Sequence, residues 1–132
     1  LSMNVGLVAH DGTKNLMQNL CIAYQDILKK HKLYATSTTG QMIEDVANLK
    51  IHKLLAGHFG GMQQMGSKIS NNEIDLLIFL QDPANKKRTP DFYNVLNLCD
   101  QYNIPCATNL PTAEVLILAL DRGDLDWRNM YK

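Results

Sequence analysis

Apolar residues follow two rhythms along this chain: short unbroken runs, and longer stretches in which they recur every three or four positions. Residues 4–9, Asn-Val-Gly-Leu-Val-Ala, form the first run and stop at His10-Asp11-Gly12, which predicts a buried strand ending in a polar loop. Leu16, Leu20, Ala23, Tyr24, Ile27 and Leu28 then recur at helical spacing. They predict a helix over 13–30 with lysines near its C-terminus, where cations suit the macrodipole. Residues 33–35 read as a second strand, and the polar turn Thr36-Ser37-Thr38-Thr39-Gly40 leads into a helix carrying Met42, Ile43, Val46 and Leu49. Residues 53–56 predict a third strand before a glycine-rich loop over 57–66, with a short helix over 63–70. Asp75-Leu76-Leu77-Ile78-Phe79-Leu80 is the clearest strand, apolar throughout as in the centre of a parallel sheet. A polar loop, a helix over 91–102 with Val95, Leu98 and Cys99 inward, a strand over 105–108 and a helix over 111–120 complete the pattern.

Strands alternating with helices specify an α/β fold, a parallel sheet with helices on both faces. Ligands of such sheets sit where the loops gather at the C-terminal strand ends. The polar loops at 10–14, 36–40, 57–66 and 81–91 each follow an expected strand, so the topology should bring them to one crevice.

The 132 residues suit a single domain, 1–132. Basic and acidic residues balance at 13 each, so bulk charge argues for neither a nucleic acid nor a membrane partner, and any anion site must be local. Cys21, Cys99 and Cys106 are odd in number and lack a Cys-x-x-Cys pair, which argues against a disulfide framework or a zinc site and for reduced thiols in a cytoplasmic protein. No apolar run reaches bilayer-spanning length, and the N-terminal stretch lacks the basic start of a signal peptide. Neither a dinucleotide fingerprint nor a Walker-type loop is present, and no cofactor or metal is expected.

Three constellations carry candidate chemistry. Thr36 to Gly40 offers four hydroxyls and a helix N-terminus, which suit a phosphate; a plain helix cap would need one hydroxyl. His10-Asp11-Gly12-Thr13-Lys14 joins a proton donor, an acid and a cation, and also reads as a capped turn with a surface lysine. Gly57 to Gly66 holds four glycines, of which Gly60-Gly61 would allow a ligand close to the backbone. No acidic residue lies between Asp45 and Glu73, so Met62 has no carboxylate neighbour in sequence; it reads as a packing residue, and His58 as a surface histidine or a catalytic one. In the charged loop, Arg88 could clamp an anion, and Asp91 could cap the following helix or act as an acid or base. Arg122 and Arg128 read as surface charges, Trp127 and Tyr131 as packing or interface residues.

Val8-Ala9-His10-Asp11 with Lys14, Leu33 to Gly40, Gly60-Gly61-x-Gln63-Gln64-x-Gly66, Asp75 to Phe79, Asp82-Pro83, Pro90-Asp91 and Ile104-Pro105-x-Ala107-Thr108-Asn109 together resemble the methylglyoxal synthases over nearly the whole chain. The resemblance implies a Rossmann-like α/β parallel-sheet sandwich that assembles as a homohexamer and converts dihydroxyacetone phosphate to methylglyoxal and inorganic phosphate through an enediolate. It implies that Lys14, Thr36, Ser37, Thr38, Thr39 and Gly57 hold phosphate, that His10 contacts substrate, and that Asp11 and Asp91 lie in the site. The chain departs from the family pattern at several of these places. Met62 stands where the family has its base aspartate, Ala56 replaces a serine, Arg88 a histidine and His58 a proline. Catalysis should then be impaired while phosphate binding survives, unless Asp11 or Asp91 substitutes as base. The alternative is a non-catalytic phosphometabolite sensor, a role the same fold plays in the allosteric domain of carbamoyl phosphate synthetase.

Overall fold

The computed structural model describes residues 2–85 and 90–132. Strands β1 (Asn4–Ala9), β2 (Lys32–Thr36), β3 (Ile51–Leu54), β4 (Leu76–Leu80) and β5 (Cys106–Ala107) form one parallel sheet in the order β3-β2-β1-β4-β5. Six helices surround it: α1 (Lys14–Ala23), α2 (Gln25–Leu28), α3 (Ser37–Val46), α4 (Gly61–Ser70), α5 (Pro90–Gln101) and α6 (Leu110–Asp121). Side chains alternate across a strand, and the sheet therefore feeds two cores. Leu7, Leu33 and Ile78 pack with Met17 of α1, Ile43 of α3 and Ile117 of α6. Val8, Leu77 and Phe79 pack on the other face with Met65 of α4 and Phe92 and Val95 of α5. All five residues of β4 are buried, which is why that segment is uniformly apolar.

The differences from the expected elements have local causes. The helix expected over 13–30 opens with a 3₁₀ turn at Asp11–Thr13 and breaks at Tyr24, whose backbone takes φ −113° and ψ 22°. There the Tyr24 hydroxyl donates to Glu114 of α6 at 2.8 Å, and the turn that follows buries Leu28 completely. Strand β3 lies at Ile51–Leu54 rather than 53–56 because it pairs Ile51 with Leu33 and Leu54 with Thr36, and the next backbone N–H, that of Leu55, goes to the Gln64 side chain at 2.7 Å. Val46 is not inward: it is 45% exposed, since α3 buries the stripe Thr39, Gly40 and Ile43.

Arg128 is not a surface charge. Its guanidinium donates to Asp75 Oδ1 at 3.2 Å, Asn72 Oδ1 at 2.7 Å, the Asn103 carbonyl at 3.1 Å and the Ile74 carbonyl at 3.2 Å. Asp75, fully buried, also accepts from the Asn4 N–H at 2.8 Å and from Lys132 Nζ at 2.8 Å. This network pins the C-terminal 3₁₀ segment Asp126–Tyr131 under the N-terminal ends of β1 and β4. No helix among the described residues is long and apolar enough to cross a membrane.

Candidate functional site

After β1 the chain builds outward through β2 and β3, then returns to place β4 on the other side of β1. In open parallel sheets a ligand crevice forms at such a switch point, beyond the C-terminal strand ends. A cleft of about 500 Å³ opens there, with walls that include His10, Asp11, Lys14, Thr36, Thr38, Gly57, His58 and Met62.

His10 leaves β1 in an extended conformation, and its ring stacks on Phe92 with centroids 5.4 Å apart and meets the edge of Phe79 at 5.4 Å. Its Nδ1 accepts the backbone N–H of Asp82 at 2.9 Å. With Nδ1 an acceptor, the neutral ring carries its proton on Nε2, so that nitrogen is a donor. Lys14 opens α1, and its Nζ lies 2.7 Å from Asp11 Oδ1. Lys14 holds the Asp11 carboxyl below the usual carboxylate range, first by that hydrogen bond and then by its charge. Asp11 is the one carboxylate among the described residues that lines the cleft.

The hydroxyl run divides. Thr36 is extended and stands at the N-cap of α3 without capping it by its side chain, so the first-turn N–H groups of α3 lack that partner. Thr36 and Thr38 line the cleft, while Ser37 and Thr39 do not. Thr39 is buried, and its Oγ1 has no hydrogen-bond partner among the described residues.

The glycine loop has a structural logic of its own. Gly57–Phe59 form a 3₁₀ turn and Gly60 takes φ +101°, a conformation that glycine tolerates. A Cβ on Gly61 would lie 2.1 Å from the Leu55 carbonyl oxygen. The close approach at Gly61 is thus made to the chain's own backbone. Gln64 binds the Leu55 N–H, and Gln63 Nε2 donates to Asp91 Oδ2 at 2.9 Å. Met62, half-buried, packs against the second core and presents itself to the cleft. Asp91 sits in the first turn of α5, tied to Gln63, and does not line the cleft. Arg88 lies outside the described residues.

Sequence reasoning missed Val8, Phe79, Asn85 and Phe92 as cleft residues. Phe79 carried a usable signal: strand alternation places it with Val8, on the face opposite Ile78. Among the described residues no cluster of His, Cys, Asp and Glu is placed to hold a metal ion.

A model of the MGS-like domain matches residues 19–108. The methylglyoxal synthase of Caldicellulosiruptor saccharolyticus is 54% identical over 129 residues, covering 97% of this chain and 92% of that protein. The chain belongs to the methylglyoxal synthase family. The methylglyoxal synthase of Clostridioides difficile is 52% identical over 131 residues, 98% of this chain and 96% of its own length. The crystal structure of methylglyoxal synthase from Elizabethkingia anophelis superposes with a TM-score of 0.81 at 32% identity, covering 88% of this chain and 77% of that one. The methylglyoxal synthase match at 19–108 takes in the hydroxyl turn and the glycine loop. The His10-Asp11-Lys14 segment precedes it but falls within the span shared with the full-length relatives.

Proposed function

We propose that the cleft binds dihydroxyacetone phosphate and eliminates phosphate from it to give methylglyoxal, at a rate impaired by Met62. One observation carries this reading: an anion-holding wall, an N–H donor and a thioether line the same cleft. Lys14 and the N-terminus of α3 at Thr36 and Thr38 suit the phosphate by charge and by oriented N–H groups. Ser37, Thr39 and Gly57 belong to the same phosphate reading through their backbone, and Arg88 through its charge.

The reaction removes a proton from the hydroxymethyl carbon. The electron pair moves onto the carbonyl oxygen, giving an enediolate. The carbon–oxygen bond to phosphate then breaks as the double bond shifts toward that carbon. Phosphate departs with the bonding pair and takes the hydroxyl proton as that oxygen becomes the aldehyde carbonyl, and the remaining enolate takes up a proton on carbon to become methylglyoxal. His10 Nε2–H can donate to the oxygen on which charge develops. A positioned general base contributes typically about 10²–10⁴-fold, and by family resemblance that base belongs at position 62. Met62 cannot accept a proton. Asp11 is a weakened substitute because Lys14 stabilises its ionised form, and Asp91 is turned to Gln63.

Phosphate release from dihydroxyacetone phosphate, measured for the wild type beside Met62→Asp, tests the proposal. The variant should gain activity over a slow wild type, and calorimetry should detect phosphate binding to both. Fast wild-type turnover that Met62→Asp does not improve would remove the impairment. Absence of both turnover and phosphate binding would remove the function. The ion-paired state of Asp11 also favours a second reading, a non-catalytic sensor of a phosphorylated metabolite, which binding without turnover in the wild type would support.

The same reading includes a homo-oligomer, six copies by family resemblance, in a cytoplasm that keeps the three thiols unbridged. The outward side of α6 supports self-association, with Val115 63% and Leu118 44% exposed. Light scattering that returned a monomer would contradict it.

A further inference from the structure

We propose that His58 is the proton acceptor of this cleft, standing in for the carboxylate absent at position 62. The inference rests on the elimination proposed above and asks which group performs its first step. Among the described residues, three cleft side chains could accept a proton: His10, Asp11 and His58. His10 receives the Asp82 N–H at Nδ1 and therefore presents a protonated Nε2; it is arranged to donate. Asp11 is bound by Lys14 at 2.7 Å, which lowers its basicity. His58 makes no hydrogen bond among the described residues, and its ring lies beside that of Phe59, at 4.4 Å between centroids.

His58 is also placed on the right wall. It sits in the 3₁₀ turn Gly57–Phe59, and a Cβ built on the adjoining Gly57 would lie 4.0 Å from Met62 Cγ. The turn that carries the imidazole thus packs on the residue that occupies the base position. His58 is exposed within the cleft, and a positive charge on it is felt by Asp11 across the opening. An imidazole ordinarily titrates near neutrality, where a general base is most effective, whereas a thioether does not titrate at all. In the proposed step the free His58 nitrogen takes the proton from the hydroxymethyl carbon. Phosphate leaves with the hydroxyl proton, and the imidazolium can return its own proton to the carbon of the enolate that remains, so no external acid or base is consumed.

The test follows methylglyoxal formation by the wild type, His58→Gln, Met62→Asp and the double variant. His58→Gln should lower kcat by roughly 10²–10⁴-fold while phosphate binding by calorimetry holds, because the residue is exposed and glutamine preserves its size and polarity. Met62→Asp should rescue the His58→Gln protein, since it returns a carboxylate to the same wall. The pH profile of kcat should differ between the wild type and Met62→Asp, because an imidazole accepts the proton in one and a carboxylate in the other. The substrate's phosphate and the facing groups His10, Asp11 and Lys14 are common to both proteins, so the comparison isolates the base. An unchanged kcat in His58→Gln, or a loss that Met62→Asp cannot rescue, would overturn the proposal. A wild type that binds phosphate without turnover would overturn it too while leaving the cleft a phosphate site. Loss of binding and turnover together would instead overturn the function on which it rests.

Discussion

Replacing Arg128 with alanine should destabilise the protein by about 3 kcal/mol without disturbing the cleft. Removing one partner of a buried ion pair typically costs about 3–5 kcal/mol, because the other charge stays buried without its counterion. Asp75 is fully buried, but it keeps Lys132 Nζ at 2.8 Å and the Asn4 N–H at 2.8 Å, which places the loss at the low end. The carbonyls of Asn103 and Ile74 and the Asn72 amide oxygen lose their donor at the same time. With a urea m-value of about 1.5 kcal/mol/M, the unfolding midpoint should fall by about 2 M. Arg128→Lys should recover only part of this, since one ammonium cannot span four acceptors on different segments. Asp75→Asn combined with Arg128→Met should cost less than the sum of the single changes, because no fully buried charge is then left unpaired; only the part-exposed Lys132 loses its partner.

Phosphate affinity is the control for location. Asp75 and Leu80 bracket β4, so the network and the cleft lie about 16 Å apart along the strand. A midpoint shift below about 0.5 M would mean that Arg128 behaves as the exposed charge its sequence position suggests. A large loss of phosphate affinity at unchanged stability would mean that this arginine serves the site instead.

Three further outcomes follow from single contacts. Gly61→Ala should cost more than about 1 kcal/mol in thermal unfolding, because its Cβ meets the Leu55 carbonyl at 2.1 Å; an unchanged melting curve would show that the turn does not need the glycine. Lys14→Met should weaken phosphate binding in calorimetry and raise the Asp11 pKa in an NMR titration, since the Lys14 hydrogen bond and charge are what lower it; an unmoved Asp11 titration would contradict the ion pair. Burial holds the His31 imidazole below its ordinary range, and its Nδ1 accepts the Met3 N–H at 3.0 Å. The unfolded chain therefore binds the proton first, so stability is fully present above about pH 6.5 and declines as pH falls below it toward the folded pKa. Urea midpoints across that range should drop less in His31→Gln than in the wild type, and equal slopes would assign the pH dependence to other groups.

The parallel sheet was legible because its signals are local and repeated. An apolar run such as Leu76 to Leu80 admits few readings, and the polar loops after the strands had to meet at their C-terminal ends. Details set by distant partners were not legible. The break at Tyr24 coincides with its bond to Glu114 in α6, 90 positions away. Arg128 looks like any tail arginine until β4 places Asp75 beneath it, 53 positions back. Helical spacing alone also counted Val46 inward, because spacing describes a stripe but not how wide a surface the sheet offers to cover it. In the hydroxyl turn, composition indicated an anion site, yet only the helix phase separates Thr36 and Thr38, which line the cleft, from Thr39, which is buried.

The glycine loop shows why a family signature and a family reaction can part company. Gly61 is needed against the Leu55 carbonyl, Gln64 closes the end of β3, and Gln63 ties α4 to Asp91 on α5. Each of these letters is accounted for by the shape of the loop, independent of any substrate. Position 62 differs: its side chain reaches the cleft as well as the second core, while its backbone continues α4. Recognising the motif therefore establishes the architecture and leaves the proton transfer to be argued from the cleft itself. There, Met62 and His58, which stands on the adjoining turn, line one cleft, and the proposal that the imidazole takes the proton rests on that proximity.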